Sequence, residues 1–246
     1  MTHREHHAAP AAGEARRAQL AANLAEVERR IAVACEAAGR KRDEVTLIAV
    51  TKTYPASDVR ILAGLGVTDI GENRDQEAAA KARDCAGLPV TWHFIGRLQT
   101  NKVRSVVSYA GMVHSVDRSR LVRALGEAAV RAGREIPCLV QVALEKEPDP
   151  GRGGAPPDQV PGLADAVAGT AGLRLAGVMA VAPLGEDPGP AFARLADVAR
   201  AVQADHPDAR VVSAGMSGDL DQAIANGATH VRVGTALLGR RKPFVR

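Results

Sequence analysis

Val45-Thr46-Leu47-Ile48-Ala49-Val50-Thr51-Lys52-Thr53-Tyr54-Pro55 is a run of β-branched and apolar residues that meets a lysine and then a proline. It does not alternate, so it reads as a strand buried on both faces, the mark of a parallel sheet. Pro55 closes it, because proline has no N–H for a ladder. Lys52 then stands at the carboxyl end of a buried strand, where barrels and open α/β sheets place their chemistry. A lysine held against apolar walls loses solvation of its ammonium form. Its pKa falls, and the free amine can attack a carbonyl. The competing reading is a lysine that snorkels to solvent. Lysine usage favours the first. The chain has 26 arginines and six lysines; Lys81 and Lys102 fall in helical patterns, and Lys41, Lys146 and Lys242 in polar segments. Only Lys52 ends a buried strand, and arginine could not replace an amine that forms a Schiff base.

Around this strand the chain alternates. A helix pattern runs from about Glu14 to Gly39, with Leu20, Leu24, Val27, Ile31 and Cys35 at helical spacing and Gly39 placed as a C-cap. After Lys52, helix patterns alternate with strand patterns at Val67–Glu72, Val90–Ile95, Met112–Val116, Cys138–Leu144, Leu173–Ala180, Arg210–Ala214 and His230–Thr235. Ser57 is placed to N-cap the first of these helices. Eight strands separated by helices predict parallel pairing with right-handed crossovers, and eight such units close a (β/α)8 TIM-type barrel. The doubly wound open sheet is the rival, but no Gly-x-Gly-x-x-Gly follows the first strand. The first helix is extra to the barrel and covers either its bottom or its side. The longest break is a Pro-, Gly- and charge-rich loop from Glu145 to Pro157.

The 246 residues suit one large α/β domain. Met1 to Gly13, with His3, His6 and His7, reads as a disordered polar tail without the apolar segment of a signal peptide. Residues 14–246 read as a single barrel domain. A net charge of +4 suits a small anionic ligand. Aromatic content of 2% leaves few stacking platforms for nucleic-acid bases. No apolar run reaches membrane-spanning length. Cys35, Cys85 and Cys138 are widely spaced and read as reduced thiols of a cytoplasmic protein, with no metal-ligand pattern.

The last two units carry a second informative stretch. Ser213-Ala214-Gly215-Met216-Ser217-Gly218-Asp219 leads from strand seven into a helix, with Asp219 and Gln222 spaced as a capping box. Small residues before a helix leave backbone N–H groups for an anion. Strand eight ends Arg232-Val233-Gly234-Thr235, offering a second close backbone approach and a hydroxyl. Loops after strands seven and eight are the usual phosphate site of these barrels, though Gly and Ser are also ordinary turn residues. Together with Lys52 they point to a phosphorylated aldehyde bound through an imine. An inward Arg232 could face a ring nitrogen and, always charged, would disfavour protonation there; its alternative is an ion pair with Glu72 or Asp219. Asn73, after strand two, could donate to a ring hydroxyl. Glu72 could orient a neighbour or a partner lysine. His93 reads as a hydrogen-bonded core histidine rather than a general base.

Ala49-Val50-Thr51-Lys52, Gly71-Glu72-Asn73 with Gln76-Glu77, Trp92-His93-Phe94-Ile95-Gly96 continuing to Asn101-Lys102, Gly177-Val178-Met179, Gly215-Met216-Ser217 and Arg232-x-Gly234-Thr235 with Gly239-x-Arg241 together resemble the pyridoxal-phosphate homeostasis protein family. The resemblance runs from about Leu20 to Arg241, and Trp92–Lys102 is its most specific part. It implies a barrel similar to the N-terminal domain of alanine racemase, with pyridoxal 5′-phosphate (PLP) as an imine on Lys52. It further implies phosphate held by Ser217, Gly218, Gly234 and Thr235, Arg232 at the pyridine nitrogen and Asn73 beside the cofactor. The implied role is non-catalytic: intracellular PLP homeostasis by a monomer whose partners are PLP and PLP-dependent apoenzymes. The sequence departs from the family at Ala214, Leu238, Arg74-Asp75 and Arg152-Gly153-Gly154. Two alternatives stand beside this reading. One is a PLP-dependent amino-acid racemase, for which only Tyr54 and Tyr109 are present as tyrosine acids. The other is a barrel aldolase with a Schiff-base lysine.

Overall fold

A computed structural model describes residues 9–145 and 153–239. Eight strands form one closed barrel in sequence order: β1 Thr46–Val50, β2 Asp69–Glu72, β3 Thr91–Phe94, β4 Met112–Val116, β5 Ile136–Gln141, β6 Leu173–Met179, β7 Val211–Ser213 and β8 His230–Val233. Every neighbouring pair is parallel, and β1 closes on β8 with Ala49 opposite Val233. The helices are α1 Ala9–Ala37, α2 Ala56–Gly64, α3 Asp75–Asp84, α4 Val103–Tyr109, α5 Ser119–Arg131, α6 Val160–Ala168, α7 Pro188–Asp205, α8 Leu220–Ala225 and the single turn α9 Thr235–Leu238.

The strands are buried on both faces because helices cover the outside and side chains fill the inside. Phe94, Val113, Val140 and Phe192 belong to one outer layer; Leu20, Ile31, Leu47 and Val231 belong to another, under α1. A smaller apolar cluster of Leu139, Ala176 and Met179 is separate from both.

The extra helix lies at the side of the barrel, not under it. Arg16 of α1 pairs with the buried Asp58 of α2 at 2.5 Å and donates to the Leu238 carbonyl, and Asn23 donates to that of Leu237. The helix starts at Ala9, ahead of the Glu14 boundary expected from periodicity, and ends as expected: Gly39 takes φ 66, and the Arg40 N–H returns to the Cys35 carbonyl.

Three local expectations are corrected. Ser57 does not cap α2; Pro55 holds that position, because its fixed φ already suits a helix start. The Asp219 carboxylate does not cap α8 but turns back to accept the Met216 N–H at 2.5 Å. Strand eight stops at Val233, and Thr235 begins α9. Lys146, Arg152, Arg241, Lys242 and the N-terminal histidines lie outside the described residues. Near the end of the long loop Ala155 pairs beside β5, its N–H donating to the Gln141 carbonyl at 2.7 Å. Among the described residues, no helix is long and apolar enough to cross a membrane, and no cluster of His, Cys, Asp and Glu could hold a metal ion.

Candidate functional site

β1 ends at Val50, and Lys52 lies in the turn that follows, half-buried at the carboxyl end of the barrel. That turn is held from both sides. Before Lys52, the Thr51 carbonyl accepts from Lys81 Nζ at 2.7 Å, and the Thr51 hydroxyl donates to Glu72 Oε1 at 2.6 Å. After it, the Thr53 N–H donates to Glu77 Oε1. Lys81 Nζ also bonds Glu72 at 2.7 Å and Glu77 at 2.6 Å. Thr53 takes φ 71, a left-handed conformation that costs a β-branched residue about 1–3 kcal/mol and persists only where the surroundings impose it. The clamp made by Lys81, Glu72 and Glu77 is that imposition, and it fixes the direction in which Lys52 leaves the chain.

Glu72 therefore does orient a lysine, and the lysine is Lys81. Its helical pattern conceals a side chain that is nearly fully buried. The only sequence sign is the Glu77–Lys81 spacing of four on α3. Burial pushes the Glu72 carboxyl up, against the pull of Lys81 and Thr51, and its Oε2 is buried without a hydrogen bond.

Asn73 follows β2 and is pinned by Gly96: a Cβ on Gly96 would lie 2.1 Å from the Asn73 carbonyl oxygen, so only glycine fits. Asn73 also lines a cavity of about 610 Å³ with Arg74, Arg97, Lys102 and Arg118. The approach to this side of the mouth is strongly basic.

The loops after β7 and β8 are laced together. Gly215 makes the turn at φ 90, and its carbonyl accepts the Arg232 N–H at 2.9 Å. The Ser217 hydroxyl accepts the Ala236 N–H at 3.3 Å, joining this loop to α9. Arg30 of α1 donates to the Ser217 carbonyl and pairs with Asp221, a latch the sequence did not suggest. The N–H groups of Ser217 and Gly218 have no acceptor among the described residues, and a Cβ on Gly218 would meet open space. Gly234 rests on Val50, two residues before Lys52: its Cβ would lie 3.4 Å from the Val50 carbonyl. The fold thus brings Lys52, Ser217, Gly218, Gly234 and Thr235 to one mouth. Unspent donors, a hydroxyl and open backbone there suit a phosphate, and the adjacent amine suits the aldehyde of PLP.

Arg232 is buried and pairs with neither Glu72 nor Asp219. One guanidinium nitrogen donates to Ser213 Oγ at 2.8 Å and the other to the Ala180 carbonyl at 2.8 Å. Burial lowers its pKa to about 10, so it stays charged at neutral pH. Behind it lies a buried polar chain. Ser213 Oγ is 3.0 Å from His114 Nδ1, His114 Nε2 is 2.9 Å from His93 Nδ1, and His93 Nε2 is 2.9 Å from Asp69 Oδ1. His93 is thus a hydrogen-bonded core residue. His114 and Ser213, its companions, carried no signal in the sequence beyond a polar residue inside an apolar strand. Both tyrosines are tied to the protein: Tyr54 donates to the Gly239 carbonyl at 2.7 Å, and Tyr109 lies 3.4 Å from Asp75.

Residues 22–242 match the family model of the alanine racemase N-terminal domain. The chain is 42% identical to the pyridoxal phosphate homeostasis protein of Mycobacterium tuberculosis, over 92% of this chain and 95% of that one. Among solved structures it is similar to an unknown protein from Bifidobacterium adolescentis, with TM-score 0.84 and 31% identity over 91% of this chain and 96% of that one. It is also similar to PipY of Synechococcus elongatus with PLP bound, with TM-score 0.79 and 33% identity over 90% of this chain and 100% of that one. A closed eight-stranded barrel with this mouth, matched nearly end to end by such relatives, belongs to the pyridoxal phosphate homeostasis protein family.

Proposed function

We propose that this chain binds PLP at the barrel mouth and serves intracellular PLP homeostasis without catalytic turnover. The observation that carries the reading is the meeting of the clamped Lys52 turn with the laced β7 and β8 loops, whose Ser217 and Gly218 N–H groups are unspent. The solved structure of PipY with PLP bound supports it. Lys52 supplies the amine for an imine with the aldehyde. Ser217, Gly218, Gly234 and Thr235 hold the phosphate. Asn73 lies beside the ring, and Arg232 turns its charge toward the ring nitrogen.

PLP can act as an electron sink when its ring nitrogen is protonated. Arg232 opposes that protonation, because a guanidinium is a donor and carries positive charge of its own. A racemase also needs an acid on the face opposite the lysine, and the Tyr54 hydroxyl is engaged with the Gly239 carbonyl. Both features act on the transition state rather than on binding, so the ligand is held without being turned over. The protein acts in the cytoplasm as a monomer, and PLP-dependent apoenzymes are its partners in exchange.

The test is to load the purified protein with PLP and add L-alanine. Little or no D-alanine is expected even with the imine fully formed, and pyridoxal, which lacks the phosphate, should bind poorly. Racemisation or transamination at an ordinary enzyme rate, on the order of 1–10³ per second, would favour the racemase reading. Equal affinity for pyridoxal and PLP would remove the phosphate site.

A further inference from the structure

We propose that Asp69, His93, His114 and Ser213 are positioning residues for Arg232, forming a one-way hydrogen-bond chain that carries the influence of a carboxylate from the bottom of the barrel to the ligand at its mouth. The inference rests on the reading that Arg232 faces the ring nitrogen of bound PLP.

The direction of each bond follows from what its two ends can do. A guanidinium only donates, so Ser213 Oγ must accept from Arg232 at 2.8 Å. The Ser213 proton is then free to go to His114 Nδ1 at 3.0 Å. His114 is fully buried, and burial, with the Arg232 guanidinium nearby, keeps it neutral. A neutral imidazole has one N–H, so that proton sits on Nε2 and points at His93 Nδ1, 2.9 Å away. With Nδ1 accepting, the one N–H of His93 sits on Nε2 and meets Asp69 Oδ1 at 2.9 Å, an atom that only accepts. No proton is missing and none is surplus.

The two ends lie at opposite openings. Arg232 precedes the Gly234-Thr235 loop of the mouth. Asp69 is the first residue of β2, its side chain is 21% exposed, and it lines a cavity of about 430 Å³ with Thr46, Leu47 and Thr68 at the other end.

Packing alone does not call for such a chain, since apolar side chains such as Ile48, Leu139, Ala176 and Met179 fill other parts of the barrel interior. A carboxylate placed directly against Arg232 would occupy its N–H groups and cancel its charge. Neutral acceptors, Ser213 and the Ala180 carbonyl, take one N–H each and leave the charge and the remaining N–H groups for the ligand. The chain behind Ser213 strengthens that acceptor, because successive hydrogen bonds polarise one another. Asp69 thereby holds the guanidinium in place and lowers the positive potential felt at the ring.

The experiment uses the full chain loaded with PLP and compares its absorbance at one neutral pH with that of Asp69→Asn, Ser213→Ala, Ser213→Thr and Glu28→Gln. Glu28 lines the same lower cavity but stands outside the chain. Asp69→Asn should keep the borohydride-reducible imine while the protonated-imine band loses intensity, because removing negative charge disfavours the cationic imine. Ser213→Ala should give the same spectral change with about ten-fold weaker PLP binding. Ser213→Thr should restore both, and Glu28→Gln should leave the spectrum unchanged. An imine in the parent protein whose spectrum survives Asp69→Asn and Ser213→Ala unaltered would overturn this inference and leave the PLP reading standing. A parent protein that forms no imine would overturn both.

Discussion

The barrel interior has two halves of opposite character. On one side Leu139, Ala176 and Met179 pack with Met112 and Val211. On the other, β2, β3, β4, β7 and β8 contribute Asp69, His93, His114, Ser213 and Arg232, which bond one another in series. The first half fills space and fixes the barrel. The second leads to Arg232, which precedes the Gly234-Thr235 loop of the mouth. Apolar side chains of similar volume would fill that half at less cost than buried polar ones, so its polarity points to the ligand site rather than to the fold.

Lys81→Met should produce the largest effect. It strands the Glu72 carboxylate in the barrel wall and should cost about 3–5 kcal/mol, read by urea unfolding. It also frees the Thr51 carbonyl, so PLP affinity should fall with stability. Unchanged affinity in a folded Lys81→Met protein would show that the clamp does not serve Lys52.

Leu139→Ala, in the apolar half, should cost about 2–5 kcal/mol through lost burial and a cavity. It should leave the absorbance of bound ligand unchanged. A spectral shift there as large as that of Ser213→Ala would erase the distinction between the halves.

Acid should act on the polar half through its buried histidines, which include His230, the first residue of β8, whose ring centroid lies 6.4 Å from that of His93. Burial, reinforced by His93, lowers His230 from 6.5 to about 4, and burial holds His114 well below its ordinary value. Between those values the unfolded chain binds protons that the folded one refuses, so stability is lost as pH falls from about 6.5 toward 4. The His230 share is about 3 kcal/mol. Unfolding across a pH series should show this slope, and His230→Gln should flatten it.

Ser217→Ala and Thr235→Val are the mildest. Each should weaken PLP by about 1–3 kcal/mol, the cost of one hydrogen bond to a charged group, without changing the imine spectrum.

These regions differ in how far sequence could reach them. β1, β4 and the mouth loops are local: an unbroken apolar run, a proline stop and small residues before helices each name their own structure. Lys52, Ser217, Gly234 and Arg232 were therefore placed by their positions on consecutive units. The clamp and the polar chain are not local. Lys81 looks like any helical lysine until α3 docks over β2. His114 and Ser213 become a pair only when β4 and β7 face one another across the closed barrel. Ser57 and Asp219 failed as caps for a related reason: Pro55 holds the position before α2, and the Met216 N–H takes the Asp219 carboxylate away from α8.

The central claim is that one lysine, held by its clamp at the end of β1, carries the ligand. Reduction of the PLP-loaded protein with borohydride, followed by mass spectrometry of its peptides, tests this directly. The account predicts a pyridoxyl adduct on Lys52 and none in Lys52→Ala, which should stay folded. An adduct on Lys81 or Lys102 in the unsubstituted protein, or no adduct at all, would contradict it.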